Sequence, residues 1–279
     1  MTITLCAIMK NEKPYIAEWI AYHRAVGFDR IHIYDNDSTD NSGEYLNALA
    51  TAGILDYCMP WRNKRGSPQI SAYKHAIKAC LTDWLVFLDA DEFFNIHSRQ
   101  SINNLLAQYS DDISSIAFNW RVFGSAGQRK AANGLVIERF TRASLLNASV
   151  NRHVKCVFRP QHAGAAHIHA TTMRAGKSVM ASGEPLEMDI RGYANSVSFL
   201  PAQINHYFTK SYEEYLAKRL RGNANRNISH PEKFSRYSDE MFREHDLNDD
   251  IDTTICWAAE SVRALCEEWA VKAPLCVFP

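Results

Sequence analysis

Ile3, Leu5 and Ala7 open the chain with the alternating apolar positions of a strand that stops at Lys10-Asn11-Glu12. Behind Pro14, suited to a first helical turn, Ile16, Trp19, Ile20, His23 and Val26 recur at helical spacing as far as Gly27, a natural C-terminal stop. A short β-branched segment, Arg30 to Tyr34, then runs into the polar cluster Asp35-Asn36-Asp37-Ser38-Thr39-Asp40. The helix after it passes through Tyr45, Leu46 and Leu49, with Asn41 and Glu44 spaced as N-cap and third residue. Ile54 to Met59 reads as a third strand, and beyond a loop from Trp61 to Pro68 a helix places Ile70, Tyr73, Ile77 and Leu81 on one face. Trp84-Leu85-Val86-Phe87-Leu88 is apolar without alternation, as a strand covered on both faces should be, and it ends in Asp89-Ala90-Asp91-Glu92.

Strands alternating with helices up to residue 110 predict an α/β domain built on a mostly parallel sheet. Ligands of such sheets sit beyond the carboxyl ends of the strands, where these polar clusters fall. After residue 110 the pattern changes. Ile116, Phe118, Trp120 and Val122 alternate with Ala117, Asn119 and Arg121, the period of a half-buried strand, and Gly124 to Gly134 is a loop. Residues 135–200 hold short strand-like pieces and no clear helix, and Ile204 to Phe208 is another strand. Ser211-Tyr212-Glu213-Glu214 is a capping box opening a helix that Gly222 closes. The polar stretch 222–250 reads as a linker or mobile loop, and a last amphipathic helix carries Ile251, Ile255, Val262, Leu265 and Trp269.

Composition narrows the classes of function. With 279 residues, 46% of them hydrophobic, the chain can bury a large core. Lys plus Arg and Asp plus Glu number 31 each, and zero formal charge argues against the broad basic field of a nucleic-acid binder. No run of about 18 apolar residues suggests a membrane span, so membrane contact is expected to be peripheral at most. Seven Cys, odd in number and without a CxxC pair, argue against a disulfide framework or zinc ribbon and for a reducing cytoplasm.

Asp89 and Asp91, one residue apart on an extended backbone, would project to the same side, and such hard oxygen donors suit Mg²⁺ or Mn²⁺, which also grip phosphate oxygens. A lone Asp-x-Asp also describes a solvated loop, but three acids closing so apolar a strand call for a cation to balance them. The Asp35 to Asp40 cluster reads as a turn with helix caps or as a hydrogen-bonding site for a ribose or base edge.

Met9-Lys10-Asn11-Glu12, Tyr15 to Ile20, Tyr22-His23, Gly27 to Arg30, Ile33 to Asn36 and Ser38 together resemble glycosyltransferases of the family 2 and family 92 type. Trp84 to Phe87 with Asp89-Ala90-Asp91-Glu92-Phe93 is similar to the metal-binding motif of that group. Trp120 with Phe123-Gly124, His153-Val154-Lys155 leading to Arg159-Pro160, and Asn205-His206-Tyr207 with Lys210-Ser211 and Glu213-Glu214 extend the likeness over residues 3–222. It implies a GT-A fold, Rossmann-like with flanking helices, a smaller mixed acceptor-side region and C-terminal helices. Residues 1–222 would form the transferase domain, with a nucleotide-binding half at 1–110 and an acceptor-side half at 111–222, and residues 223–279 a helical extension.

The resemblance further implies transfer of a sugar from a nucleotide donor, UDP-linked, to a saccharide or lipid-linked glycan, with inversion, in surface polysaccharide or lipopolysaccharide assembly at the inner face of the membrane. Asp35, with Lys10, Asn11 and Glu12 as the other wall, would meet the nucleoside. Asp91 would be the principal metal ligand, Asp89 would meet ribose or metal, and His206 would complete the site; without the resemblance, His206 also reads as a satisfied strand histidine between Ile204 and Phe208. Lys210, Lys218 and Arg221 follow on a helix from which a diphosphate is reachable, or form its solvated basic face, while Trp120, His153 and Lys155 fall on the acceptor or phosphate side. For a general base the candidates are Glu92, Glu138, Glu184, Glu187 and Asp189, because the acidic pair of family 2 is missing. His162, His167 and His169 carry no assignment. A sugar nucleotidyltransferase would need a Gly-rich loop where Cys6 to Asn11 stands, and a non-catalytic carbohydrate-binding protein would not need acids at 35, 89 and 91. The last helix would pack on the sheet or on a second subunit.

Overall fold

The computed structural model describes residues 1–62, 66–224, 226, 230 and 232–272. Residues 63–65 of the Trp61 to Pro68 loop, residues 225, 227–229 and 231 of the polar stretch, and residues 273–279 with Cys276 lie outside the described residues.

The expected alternation appears as β1 (Ile3–Met9), α1 (Lys13–Val26), β2 (Arg30–Asp35), α2 (Ser42–Thr51), β3 (Tyr57–Pro60), α3 (Pro68–Ala79) and β4 (Trp84–Phe87). Gly27 ends α1 at φ 97°, a left-handed conformation that costs glycine little. Then follow β5 (Glu92–Ile96), α4 (Ile102–Leu106), β6 (Ile113–Val122), α5 (Val136–Arg139), β7 (Arg142–Ala143), β8 (Val154–Phe158), β9 (Lys177–Met180) and β10 (Ala202–His206). The chain continues through α6 (Tyr212–Arg221), α7 (Glu232–Ser235), α8 (Asp239–His245), β11 (Asp250–Ile251) and α9 (Ala259–Lys272).

Among the described residues the strands form one mixed sheet in the order β3-β2-β1-β4-β8-β6-β10-β5, with β9 beside β6, and a small β11-β7 pair. The β3-β2-β1-β4 run is parallel throughout, so the ends of β1, β2 and β4 open on one edge. Around β8 the pairing turns antiparallel, whereas β10 runs parallel to β6 and antiparallel to β5. The fold is therefore α/β, with the parallel half carrying the alternating elements.

Several local expectations differ from the fold. Ile54 and Leu55 are buried in the turn that ends α2, where both amides bond to the Leu49 carbonyl, so β3 starts only at Tyr57. Leu81 is fully solvated beyond the end of α3, whose buried side is Gln69, Ala72, Tyr73 and Ala76. Asn41 makes no capping bond; Asp40 accepts from the Ser42 amide and hydroxyl instead. β6 is buried on both faces because its polar side is satisfied: Asn119 donates to the Asn151 carbonyl and Arg121 pairs with Asp250 at 2.7 Å. Ile251 belongs to β11 and is exposed, and the final helix starts only at Ala259.

The Ser211 capping box forms in full. α9 lays Val262, Cys266 and Trp269 against α1, in the same core as Trp19 and Ile20. Its apolar side is thus used within the chain. Among the described residues no helix is long and apolar enough to cross a membrane, and Cys6, Cys58, Cys80, Cys156 and Cys256 are free thiols.

Candidate active site

Parallel pairing brings the polar clusters after β1, β2 and β4 to one edge, and β10 adds the other wall. The Tyr207 amide donates to the Asp91 carbonyl at 2.8 Å, which brings the end of β10, and with it His206, up to the turn after β4.

That turn is not extended. The Glu92 amide donates to the Asp89 carbonyl at 3.0 Å, and the two aspartates diverge instead of sharing a side. Asp89 accepts from Gln69 Nε2 at 2.7 Å and from Lys155 Nζ at 3.0 Å. Lys155 is fully buried and also lies 3.2 Å from the equally buried Glu92, which accepts the Asp89 amide at 2.8 Å. Burial, aided by the charge of Asp89, drives the Glu92 carboxyl up against the pull of Lys155, whereas Asp89 and Glu92 hold the Lys155 ammonium up despite its burial.

Asp91 faces the other way. Lys218 Nζ of α6 lies 2.5 Å from Oδ2, and His206 Nε2 lies 3.6 Å from Oδ1. Burial alone would raise this carboxyl, but Lys218 and His206 outweigh it and hold it well below the usual carboxylate range. Burial keeps His206 below the ordinary imidazole value.

A cavity of about 900 Å³ lies between the loops after β1 and β2 and helix α6, and a second of about 300 Å³ adjoins it over the Asp89 turn. Both are bounded by Lys10, Glu12, Asn36, Lys218 and Arg221. Arg221 binds the Glu12 carboxylate and the Lys10 carbonyl, while Lys10 Nζ donates to the carbonyls of Asn36, at 2.9 Å, and Asp37. These cations brace the loops. Lys210 does not: it is buried, its φ is +49°, its Nζ sits 4.1 Å over the Tyr15 ring, and it has no ion pair or hydrogen bond among the described residues. Burial lowers its pKa. An unpaired buried ammonium on a cavity wall suits an anionic ligand.

The pattern that defines glycosyltransferase family 92 matches residues 1–250. The chain belongs to glycosyltransferase family 92. A family 92 protein of Oryza sativa subsp. japonica is 28% identical over 163 residues, which cover 57% of this chain and 27% of the relative. One of Arabidopsis thaliana is 23% identical over 234 residues, 78% of this chain and 37% of the relative. An uncharacterized glycosyltransferase of Rickettsia typhi is 27% identical over 110 residues, 39% of this chain and 35% of the relative. The chain thus spans well under half the length of these curated relatives. Among solved structures, S. aureus TarS residues 1–349 aligns at a TM-score of 0.42 and 14% identity, covering 98% of this chain and 81% of that one. Glucosyl-3-phosphoglycerate synthase from Mycobacterium tuberculosis, in complex with Mn²⁺ and UDP, aligns at 0.31 and 19%, covering 43% and 44%.

In this family 92 chain, Lys10, Asn11, Glu12, Lys210 and Arg221 line the larger cavity, and Asp89, Asp91, Trp120 and His206 line the smaller one. Asp35 lines neither; its carboxylate tucks beneath the loop beside Gly43, where one oxygen is buried without a hydrogen-bond partner among the described residues, and Asn36 and Asp37 face the cavity in its place. Lys155 lies beneath Asp89, and His153 stacks on Trp120 with ring centroids 4.6 Å apart. None of the five candidate bases reaches either cavity wall. Glu92 is buried against Lys155, Glu138 pairs with Arg263 at 2.6 Å, and Glu184, Glu187 and Asp189 are exposed between β9 and β10. His162 is bonded to Ser114, apart from His167 and His169. Gln69 and His169 are wall residues that sequence reasoning left unassigned. Gln69 was findable, because it opens a helix at the ligand edge of a parallel sheet.

For a divalent ion, Asp91 and His206 fit as a pair of donors. The ring of His206 is buried, with Nδ1 lacking a hydrogen-bond partner among the described residues, and its Nε2 faces the carboxylate. Asp89, turned to Gln69 and Lys155, does not join them, and among the described residues no group of three His, Cys, Asp or Glu could hold a metal.

Proposed function

We propose that this chain is a GT-A type glycosyltransferase that moves a sugar from a nucleotide-sugar donor, UDP-linked, to a saccharide or lipid-linked glycan with inversion. The observation that carries the reading is the paired cavity at the carboxyl edge of the parallel strands, with Lys210 as an unpaired ammonium in its wall. Membership of family 92 supports transfer, and the motif resemblance supports UDP. Residues 1–110 would serve the nucleotide, residues 111–222 the acceptor and residues 223–279 an extension, and the free thiols of Cys6, Cys58, Cys80, Cys156 and Cys256 suit a reducing compartment.

Bond cleavage at the anomeric carbon leaves negative charge on the departing diphosphate. Lys210 meets that charge without having to leave a carboxylate partner, and Lys218 can follow once it parts from Asp91. Lys10 and Arg221 are committed to the loops and hold the cavity open for the nucleoside. Asp91 and His206 would hold Mn²⁺ or Mg²⁺, which when bound supplies further positive charge to the diphosphate. The adjoining cavity at Trp120 and His206 leaves room for the sugar and acceptor.

A thermal-shift screen of nucleotides and nucleotide sugars, each with and without Mn²⁺, tests this reading. UDP and at least one UDP-sugar should raise Tm, more so with Mn²⁺. A flat response to every nucleotide would overturn the donor class, and equal shifts with and without Mn²⁺ would overturn the metal.

A further inference from the structure

Inverting transfer needs a group to take the acceptor's proton, and every carboxylate on the cavity walls is already engaged. Glu12 pairs with Arg221, Asp37 with Arg62, Glu214 with Arg139, Asp89 with Lys155 and Asp91 with Lys218, while Asp40 accepts from the Ser42 hydroxyl and amide.

His169 is placed differently. It lies in the wall of the smaller cavity with Asp89, Asp91, Trp120 and His206. Its Nδ1 is 3.2 Å from the Val154 carbonyl, which can only accept, so Nδ1 carries the proton and Nε2 keeps the lone pair. Nε2 has no partner among the described residues. The ring is held edge-on to Trp120 at 5.2 Å, and the His169 carbonyl accepts from the Cys156 amide at 3.2 Å. Gly192 closes the socket from behind. Its φ is +85°, and a Cβ there would stand 2.4 Å from His169 Cβ, so only glycine lets the loop approach so closely.

Building on the transferase reading, we propose that His169 Nε2 is the general base of this site. The acceptor hydroxyl gives its proton to Nε2, and its oxygen bonds to the anomeric carbon. The bond from that carbon to the diphosphate oxygen breaks, and its electron pair leaves with the nucleoside diphosphate; the imidazolium then returns the proton to solvent. Burial, with Lys155, His153 and His167 nearby, holds the free imidazole far below its ordinary pKa, so it rests neutral with Nε2 unprotonated but is a weak base until charge develops on the donor. Negative charge growing on the departing diphosphate in the adjoining cavity favours the imidazolium as the proton is taken.

The test uses the full chain and water as acceptor, following UDP release from UDP-glucose, UDP-galactose and UDP-N-acetylglucosamine. His169→Asn keeps a donor for the Val154 carbonyl and lacks Nε2; it should lower kcat by about 10²-fold or more, leaving KM and the UDP Kd within about twofold. His169→Gly should be equally slow and regain activity on adding imidazole. A kcat within about threefold of wild type in His169→Asn, or no imidazole rescue in a His169→Gly protein that still binds UDP, would overturn the base assignment. A wild-type chain that neither binds UDP nor hydrolyses any of the three sugars would overturn the transferase reading itself, and the base with it.

Discussion

Lys218 and Asp91 meet across the cavity: the ammonium of α6 lies 2.5 Å from the carboxylate that follows β4 and rests 4.3 Å over the Phe208 ring. Removing one partner leaves the other nearly buried and uncompensated. Asp91→Ala should therefore cost about 3 kcal/mol, and Asp91→Ala combined with Lys218→Met should recover most of it. Because the carboxyl is held below its unfolded value, its contribution is present above about pH 4 and lost as pH falls through the lower folded value. Urea denaturation of the four cycle members at pH 7 and pH 3 measures both effects; a double variant whose loss equals the sum of the two single losses would show that the pair does not couple.

Lys155 balances two carboxylates at once. Lys155→Met leaves Glu92 and Asp89 facing each other without a cation, and should destabilise the fold by about 3–5 kcal/mol at pH 8. At pH 5 the loss should shrink, because Glu92, already driven up by burial, takes a proton more readily once Lys155 is gone. Equal losses at the two pH values would show that Glu92 is not the group left stranded.

Lys210 is a buried cation that rests on the Tyr15 ring and has no ion pair or hydrogen bond among the described residues. Lys210→Met keeps an apolar stem over Tyr15 and sheds the buried charge, so the free protein should gain stability or stay unchanged. The same substitution should weaken UDP binding by about tenfold in calorimetry. A large fall in Tm with unchanged UDP affinity would make this lysine a structural group.

Glu18 is buried within α1 and accepts the amides of Val136 and Ile137 at 2.8 and 3.0 Å. Burial outweighs those donors and raises its pKa to about 7, above an unfolded value near 4.3. Its contribution is full below the unfolded value and lost as pH rises through about 7. The stability advantage of wild type over Glu18→Ala should therefore narrow between pH 5 and pH 8 in denaturant titrations. A widening gap would mean that the two amides hold the charged form.

Much of the fold was legible because periodicity is local. The three strand and helix alternations of the first 87 residues follow from apolar spacing, Gly27 and Pro14, and the Ser211 box is written in four consecutive residues. Where burial comes from distant partners, local pattern misleads. β5 begins with an acid directly behind another strand and carries no strand signal of its own; it is a strand because β10 pairs with it over Ala202 to His206. β6 looked half-exposed because Asn119 and Arg121 are polar, yet Asn151 and Asp250 cover them.

The same division runs through the candidate site. The order of residues alone determined that acids close β2 and β4, that the parallel half opens its ligand edge there, and that Lys210, Lys218 and Arg221 follow His206 within reach of it. Only the tertiary structure decided which charges are already paired. Asp89 and Asp91 have only Ala90 between them, yet they serve different lysines, one from β8 and one from α6, because the turn at Ala90 points them apart. Charge pairing depends on distances in space between elements far apart in the chain, and it separates Lys210, which has no ion pair among the described residues, from the cations that brace the loops.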